Sequence, residues 1–130
     1  MSDRARLAAA LATLYVAWGS TYLAIEARLR DAGSEPPLDA DLDRAALAAL
    51  RAHGRAVRLG PAMHVHRDAL AAVRARIVAA LERDGSITLA GVRDELGTSR
   101  KYAQAYLEHL DAEHVTLRRG DERVLRRRRA

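Results

Sequence analysis

The last third of the chain carries a helix start, a helix end and a basic hairpin in a fixed order. Gly97 makes a turn, and Thr98 or Ser99 is a candidate N-cap for the helix that follows. Residues 115–126 read as two short strands joined by a charged turn that contains Gly120. A helix followed by a basic hairpin is the layout of a winged helix. Because free backbone N–H groups and cations at a helix start suit phosphates, the pattern points to nucleic acid.

The preceding residues supply the rest of such a fold. Asp68 is predicted to cap a helix that runs to about Arg83, and Gly85 ends it. An extended piece at residues 86–88 and a helix at residues 89–96 follow, and the recognition helix runs from Ser99 to about Glu113. The wing strands are predicted at residues 115–119 and 123–126. The first helix has an apolar face made of Leu70, Val73, Ile77, Val78 and Leu81.

A shorter version of this pattern occurs earlier in the chain. Identical residues recur at an offset of 60, and Gly33-Ser34 matches Gly85-Ser86 at an offset of 52. The first copy is therefore shorter between its break and its last helix, which predicts that its middle helix is lost or shrunk. Two tandem winged helices, the first degenerate, explain the repeat. The matched pairs are Leu47 and Leu107, Leu50 and Leu110, Ala52 and Ala112, Arg58 and Arg118, and Gly60 and Gly120.

Leu7 to Ile25 is a run without a charge. Its length reaches the lower range for a membrane span, but its alanine, hydroxyl and glycine content makes insertion marginal. The run Gly19-Ser20-Thr21-Tyr22-Leu23 also gives residues 7–26 a resemblance to the first helix of EamA-type drug/metabolite transporters, a fold that needs about ten helices. A membrane span and a buried helix both stay open, and a cleaved signal peptide is disfavoured by the context Ala24-Ile25-Glu26.

Charge and composition narrow the function classes. Residues 115–130 hold seven arginines against Asp121 and Glu122, which equals the whole net charge of +5. This concentration favours a polyanionic partner, either nucleic acid or an anionic membrane surface. The absence of cysteine excludes disulfides and thiolate–metal sites. His64 and His66 alternate on one strand, but no further ligand completes a shell, so no metal site is predicted.

The residues at the end of the chain resemble a known family. Ser99-Arg100-Lys101-Tyr102, Leu107-Glu108-His109-Leu110-Asp111 and the segment from Arg119 to Arg126 are similar to the last winged-helix domain of the bacterial selenocysteine-specific elongation factor (SelB). The resemblance covers roughly residues 69–127 closely and 26–67 loosely. It implies a cytoplasmic protein whose partner is an mRNA hairpin, the selenocysteine insertion element, and it leaves the ribosome open as a further partner.

The family's GTPase activity is not expected here. The sequence has no G-x-x-x-x-G-K-[ST] loop and no nucleophile elbow. We therefore expect neither an enzyme, nor a cofactor, nor a small-molecule substrate.

Candidate contact residues lie at the helix start and on the wing. Arg100 and Lys101 occupy a first helical turn, where the helix dipole disfavours cations, so they suggest an external anion. Tyr102 could stack an extruded base or pack against the wing, whereas Tyr106 falls in the apolar stripe. Arg93 is a further candidate for contact with the ligand, and its alternative role is a structural ion pair with Asp94. By the resemblance, the RNA-contact set is Arg93, Ser99, Arg100, Lys101, Tyr102, Arg118, Arg119, Gly120 and Arg123, with Leu117, Val124 and Leu125 facing inward.

Together these observations predict an α+β, mostly helical protein with an N-terminal apolar helix (residues 1–25), a degenerate winged helix (26–67) and a complete RNA-binding winged helix (68–130). Two alternatives stay open. A DNA-binding regulator would have only Gln104 and Glu108 as base-reading side chains beyond the first turn of the recognition helix. A membrane-tethered interaction module would use residues 7–25.

Overall fold

The computed structural model describes residues 2–126, apart from the side chains of residues 10–18. Helices account for most of this length, and the strands are short, as the sequence predicts. In chain order the elements are α1 (Asp3–Ala32), a 3-10 turn (Asp39–Asp41), α2 (Arg44–Ala52), β1 (Ala56–Leu59), β2 (Met63–His66), α3 (Arg67–Asp84), β3 (Ile87–Thr88), α4 (Leu89–Leu96), α5 (Arg100–Ala112), β4 (Thr116–Arg119) and β5 (Glu122–Leu125).

The elements from α3 to β5, called here the C-terminal winged helix, form a complete fold of this type. Its three strands are antiparallel and lie in the order β3-β5-β4. The predicted cap of α3 is wrong by two residues, because His66 is the N-cap and its Nδ1 accepts the backbone N–H of Asp68 at 3.1 Å. The second wing strand begins at Glu122 rather than Arg123, since Glu122 already pairs with Arg119.

The elements from α1 to β2, called here the N-terminal unit, are the degenerate copy. The short 3-10 turn at Asp39–Asp41 stands where the other copy has α4. A single bridge between Leu38 and Met63 replaces the pairing of β3 with β5. α1 continues past the predicted boundary at residue 25 and ends at Gly33, whose φ is 58°. Among the described residues, no helix is both long and apolar enough to cross a membrane.

The repeat is visible in the hydrogen bonds. Arg58 Nε donates to the Gly60 carbonyl at 3.2 Å, and Arg118 Nε donates to the Gly120 carbonyl at 3.0 Å. The turns that follow the last helix of each copy also match. The backbone N–H of Arg55 donates to the Leu50 carbonyl at 2.8 Å, and that of Val115 donates to the Leu110 carbonyl at 3.0 Å. The tandem arrangement predicted from the 60-residue offset is therefore confirmed.

Two apolar clusters hold these elements. The smaller one joins Leu29 of α1 to Leu47 and Leu50 of α2. The larger one lies among α3, α4 and α5, and it also takes in side chains from the first hairpin. Its buried members include Leu59, Met63, Val65, Val73, Ile77, Leu81, Val92, Tyr106, Leu107 and Leu110. The predicted division at residue 67 remains a prediction, since the first hairpin shares this core.

Residues of α5 and of the turn before it hydrogen-bond to the loop that follows α1. Tyr106 is fully buried, as predicted, and its hydroxyl donates to the Ser34 carbonyl at 2.7 Å. The Tyr102 hydroxyl donates to the Pro36 carbonyl at 3.2 Å, and the Thr98 hydroxyl donates to a Glu35 carboxylate oxygen at 2.7 Å. Because these contacts occupy the side of α5 that carries Tyr102 and Tyr106, only its other side is accessible to a ligand.

Candidate nucleic-acid interface

A cleft of about 380 Å³ lies between the start of α4, the exposed face of α5 and the wing. Four of its lining side chains are arginines from four separate elements: Arg93 of α4, Arg100 of α5, Arg118 of β4 and Arg123 of β5. The acidic residues that line it are Glu108 and Asp121, so arginine is in excess. Guanidinium groups converging on a concave surface suit a phosphate-bearing ligand.

The floor of the cleft is one face of α5. Arg100, Gln104 and Glu108 are spaced four residues apart and all line the cleft. Residues at this spacing stack along one side of a helix. Gln104 Nε2 donates to Glu108 Oε1 at 3.0 Å, so this row runs from a cation at the helix start to an amide–carboxylate pair.

Asp111 holds the side chain of Arg123 on the wing. Its side chain is 9% exposed, and its Nε and terminal nitrogen both donate to Asp111 Oδ2, at 3.3 and 3.2 Å. The other oxygen of Asp111 accepts the Thr116 hydroxyl at 2.5 Å. Asp111 thus fixes this guanidinium at the edge of the cleft, and Arg123 is largely buried rather than a freely extended wing arginine.

The other cleft arginines are more loosely tied. Arg118 reaches back to the carbonyl of Gly120 in its own turn. Arg93 Nε lies 3.3 Å from Asp94 Oδ1, so the ion pair predicted as the alternative role of Arg93 is present. Since the Arg93 side chain is 48% exposed, this pair stabilises the fold little and leaves the guanidinium accessible.

Five members of the predicted contact set do not line the cleft: Ser99, Lys101, Tyr102, Arg119 and Gly120. Lys101 turns towards Tyr102, with its Nζ 5.3 Å from the ring centroid. Tyr102 is partly buried against the larger apolar cluster, and its hydroxyl donates to the Pro36 carbonyl in the loop after α1. Arg119 faces another concavity beside Leu117, Val124 and Leu125. Leu117 is 44% exposed, so the prediction that it faces inward is wrong.

Comparison with known proteins bears on this part of the chain. Residues 79–125 match the family model described as "Elongation factor SelB, winged helix". This segment is similar to the winged helix of SelB, and it is called here the SelB-type winged helix. No curated protein sequence matches the chain.

Two solved structures resemble the chain beyond that segment. One is the mRNA-binding domain of elongation factor SelB from E. coli in complex with SECIS RNA, with a TM-score of 0.69 and 26% identity over 82% of this chain and 98% of that one. The other is a bacterial selenocysteine-specific elongation factor EF-Sec, with a TM-score of 0.70 and 20% identity over 82% of this chain and 18% of that one. At 20% identity, the second likeness shows the fold alone.

The SelB-type winged helix contains cleft residues outside the predicted contact set. Gln104 and Glu108 are predicted as base-reading residues only for a DNA-binding protein, although their spacing from Arg100 places all three on one helix face. Thr88, Leu89 and Ala90 come from the start of α4, where Thr88 caps the helix by accepting the Gly91 N–H at 3.0 Å. Their position depends on how β3 pairs with β5, which no local pattern encodes.

His64 and His66 of β2 each contact a carboxylate. His64 Nδ1 lies 2.9 Å from Asp39 Oδ1, and His66 Nε2 lies 3.3 Å from Glu26 Oε1. Within residues 2–126, no group of three potential ligands forms a candidate metal site. Each histidine joins the hairpin to an earlier element of the N-terminal unit.

Proposed function

We propose that this chain binds a structured RNA hairpin of the selenocysteine-insertion type through the arginine-lined cleft of its SelB-type winged helix. The observation that carries the proposal is the convergence of Arg93, Arg100, Arg118 and Arg123 from four elements on one concave surface. The relative from E. coli, solved with SECIS RNA, supports the choice of RNA as the ligand.

The cleft grips the RNA backbone on two sides. Arg118 and Arg123 lie on the wing, whereas Arg100 begins the opposing helix. Phosphates on the two sides of a hairpin loop would meet cations from both walls, and each neutralised phosphate releases condensed counterions. The backbone contacts set the position of the loop, and groups on the floor of the cleft read its bases.

Arg100 is placed for binding at a cost to the helix. A cation in the first turn of α5 opposes the positive end of the helix dipole, which costs about 0.3–1 kcal/mol at an exposed site. A phosphate seated there would reverse the sign of this interaction, since it is attracted both to the guanidinium and to the dipole. The same argument covers Lys101 only in part, because its ammonium faces the Tyr102 ring.

The proposed role is recognition rather than catalysis, and it places the protein in the cytoplasm with mRNA and the ribosome as partners. Membrane attachment through residues 7–25 is not part of the proposal. α1 contributes Leu29, Ile25 and Tyr22 to the smaller core, so its C-terminal half already has a role in the fold.

The test is fluorescence anisotropy with the SECIS hairpin of the E. coli complex at near-physiological salt. A hairpin with the same stem and a scrambled loop, and a duplex DNA of equal length, serve as competitors. We expect the scrambled hairpin and the duplex to compete at least about tenfold more weakly. Equal competition by all three would reduce the cleft to a nonspecific basic surface, and preference for the duplex would favour a DNA-binding protein.

A further inference from the structure

The pair Gln104–Glu108 is the unexpected feature of the cleft. Both side chains are exposed on the floor of a cleft that four arginines also line. A carboxylate repels phosphate, so a surface that only held an RNA backbone would gain by having a neutral or basic residue at position 108. The carboxylate therefore suits a part of the RNA that carries hydrogen-bond donors.

The hydrogen bond within the pair determines what it offers to a ligand. An ionised carboxylate can only accept, so Gln104 turns its amide nitrogen towards Glu108 at 3.0 Å. The amide oxygen of Gln104 and the second carboxylate oxygen of Glu108 are then both acceptors. Two neighbouring acceptors on a rigid helix match the amino groups of nucleobases, and uracil is the one common RNA base without such a group.

We infer that Gln104 and Glu108 are the specificity-determining residues of the cleft, and that they select a loop nucleotide whose base carries an amino group against uracil. This inference rests on the proposed RNA-binding function. In it, Arg100 at the start of the same helix face holds a phosphate while the pair, one and two turns further along α5, reads the base. Gln104 and Glu108 thus supply the discrimination and the arginines supply the affinity.

The N-terminal unit provides an internal comparison. The residues of α2 at the matching positions, 60 earlier, are Arg44 and Ala48. Both line a concavity of about 950 Å³ between α2 and the first hairpin, together with Arg51 and Arg58. This concavity repeats the basic character of the cleft without an amide–carboxylate pair on its helix. The pair is therefore not required by the repeated fold.

The test uses three hairpins with one stem and with loops made only of uridine, only of cytidine or only of adenosine. Their charge is the same, so phosphate contacts are held constant while the bases change. We expect the full chain to bind the cytidine and adenosine loops about tenfold or more tighter than the uridine loop, the range of a good base contact. Gln104→Ala and Glu108→Ala should each remove most of this preference, and Glu108→Gln should reduce it.

The control separates this inference from the proposed function. Arg100→Ala should weaken binding to all three hairpins by a similar factor and leave their order unchanged. Equal affinity of the unmodified chain for the three loops would overturn the inference, as would a preference that survives in Glu108→Ala, since another residue would then read the base. Failure of every hairpin to bind above the level of duplex DNA would overturn the proposed function, and the inference with it.

Discussion

Gly54 and His114 occupy the same position in the two copies of the fold, 60 residues apart, and both have a positive φ, 71° and 59°. Each follows the end of the last helix in its copy, and the next residue bonds back to a leucine carbonyl in both. Glycine adopts this left-handed conformation without strain, whereas a residue with a Cβ does not. The same turn is thus made by a suitable residue in one copy and by a strained one in the other.

This difference predicts opposite effects of exchanging the two residue types. His114→Gly should raise the free energy of unfolding by about 0.5–1 kcal/mol, because relief of strain exceeds the added entropy of the unfolded chain. Gly54→Ala should lower it by about 1 kcal/mol, since nothing lies within 4 Å of the added Cβ and only the backbone is strained. Urea unfolding of both variants measures the effect, and a loss of stability in His114→Gly would contradict the prediction.

Removing Asp111 should be far more costly than removing an exposed partner of another arginine. Asp111→Ala leaves the guanidinium of Arg123 buried without its carboxylate, and we expect a loss of about 2–3 kcal/mol. The matched control is Asp94→Ala, which breaks the pair with Arg93 but concerns a side chain that is 74% exposed, so the loss should be below about 0.5 kcal/mol. Equal losses in urea unfolding would show that burial of Arg123 does not matter.

Stability above pH 10 should depend on Tyr106. Burial raises the pKa of its hydroxyl above the ordinary value of about 10, with smaller contributions from Tyr102 and Glu35. The neutral hydroxyl is therefore favoured by folding, and its contribution is fully present below pH 10 and is lost as the pH rises further, because the unfolded chain ionises first.

Tyr106→Phe tests this dependence. At pH 8 the variant should be about 1 kcal/mol less stable, since the Ser34 carbonyl loses its donor. Between pH 9 and about 11 its thermal midpoint should fall less than that of the unmodified chain. Parallel curves for the two proteins would mean that Tyr106 does not control the alkaline transition.

Arg100→Ala should separate binding from stability. We expect the slope of log affinity against log salt for the SECIS hairpin to fall by about one unit, because one phosphate contact is lost. The thermal midpoint should stay the same or rise slightly, since a cation leaves the positive end of the α5 dipole. Arg74→Ala on α3 removes the same charge away from the cleft and should leave the salt slope unchanged.

The elements of this fold could be read from the sequence where local patterns dictate them. Gly97 ends α4 in a left-handed conformation, and the wing strands predicted at residues 115–119 and 123–126 agree with β4 and β5 to within one residue. Val73, Ile77 and Leu81 are buried, as expected from their spacing on the predicted helix. These signals are strong because turns and helix ends depend on a few adjacent residues.

The site was predicted less completely, because its members meet through tertiary contacts. Charge alone could not separate Arg118, which lines the cleft, from Arg119, which alternates to the other face of the wing. The role of Tyr102 depends on Pro36, a residue 66 positions earlier in the chain. The resemblance of residues 69–127 to one winged helix does not show which earlier residue Tyr102 contacts.

The side chains of Leu59, Met63 and Val65 belong to the first hairpin but complete the core under the recognition helix. A shortened chain that starts at Asp68 would lack this lining, and an apolar wall would be open to water. To be purified alone, the C-terminal winged helix would therefore need substitutions or a partner that shields this apolar wall from water. The repeat makes the two halves look like separate pieces, but they share one interior, because the first hairpin covers the core of the C-terminal winged helix.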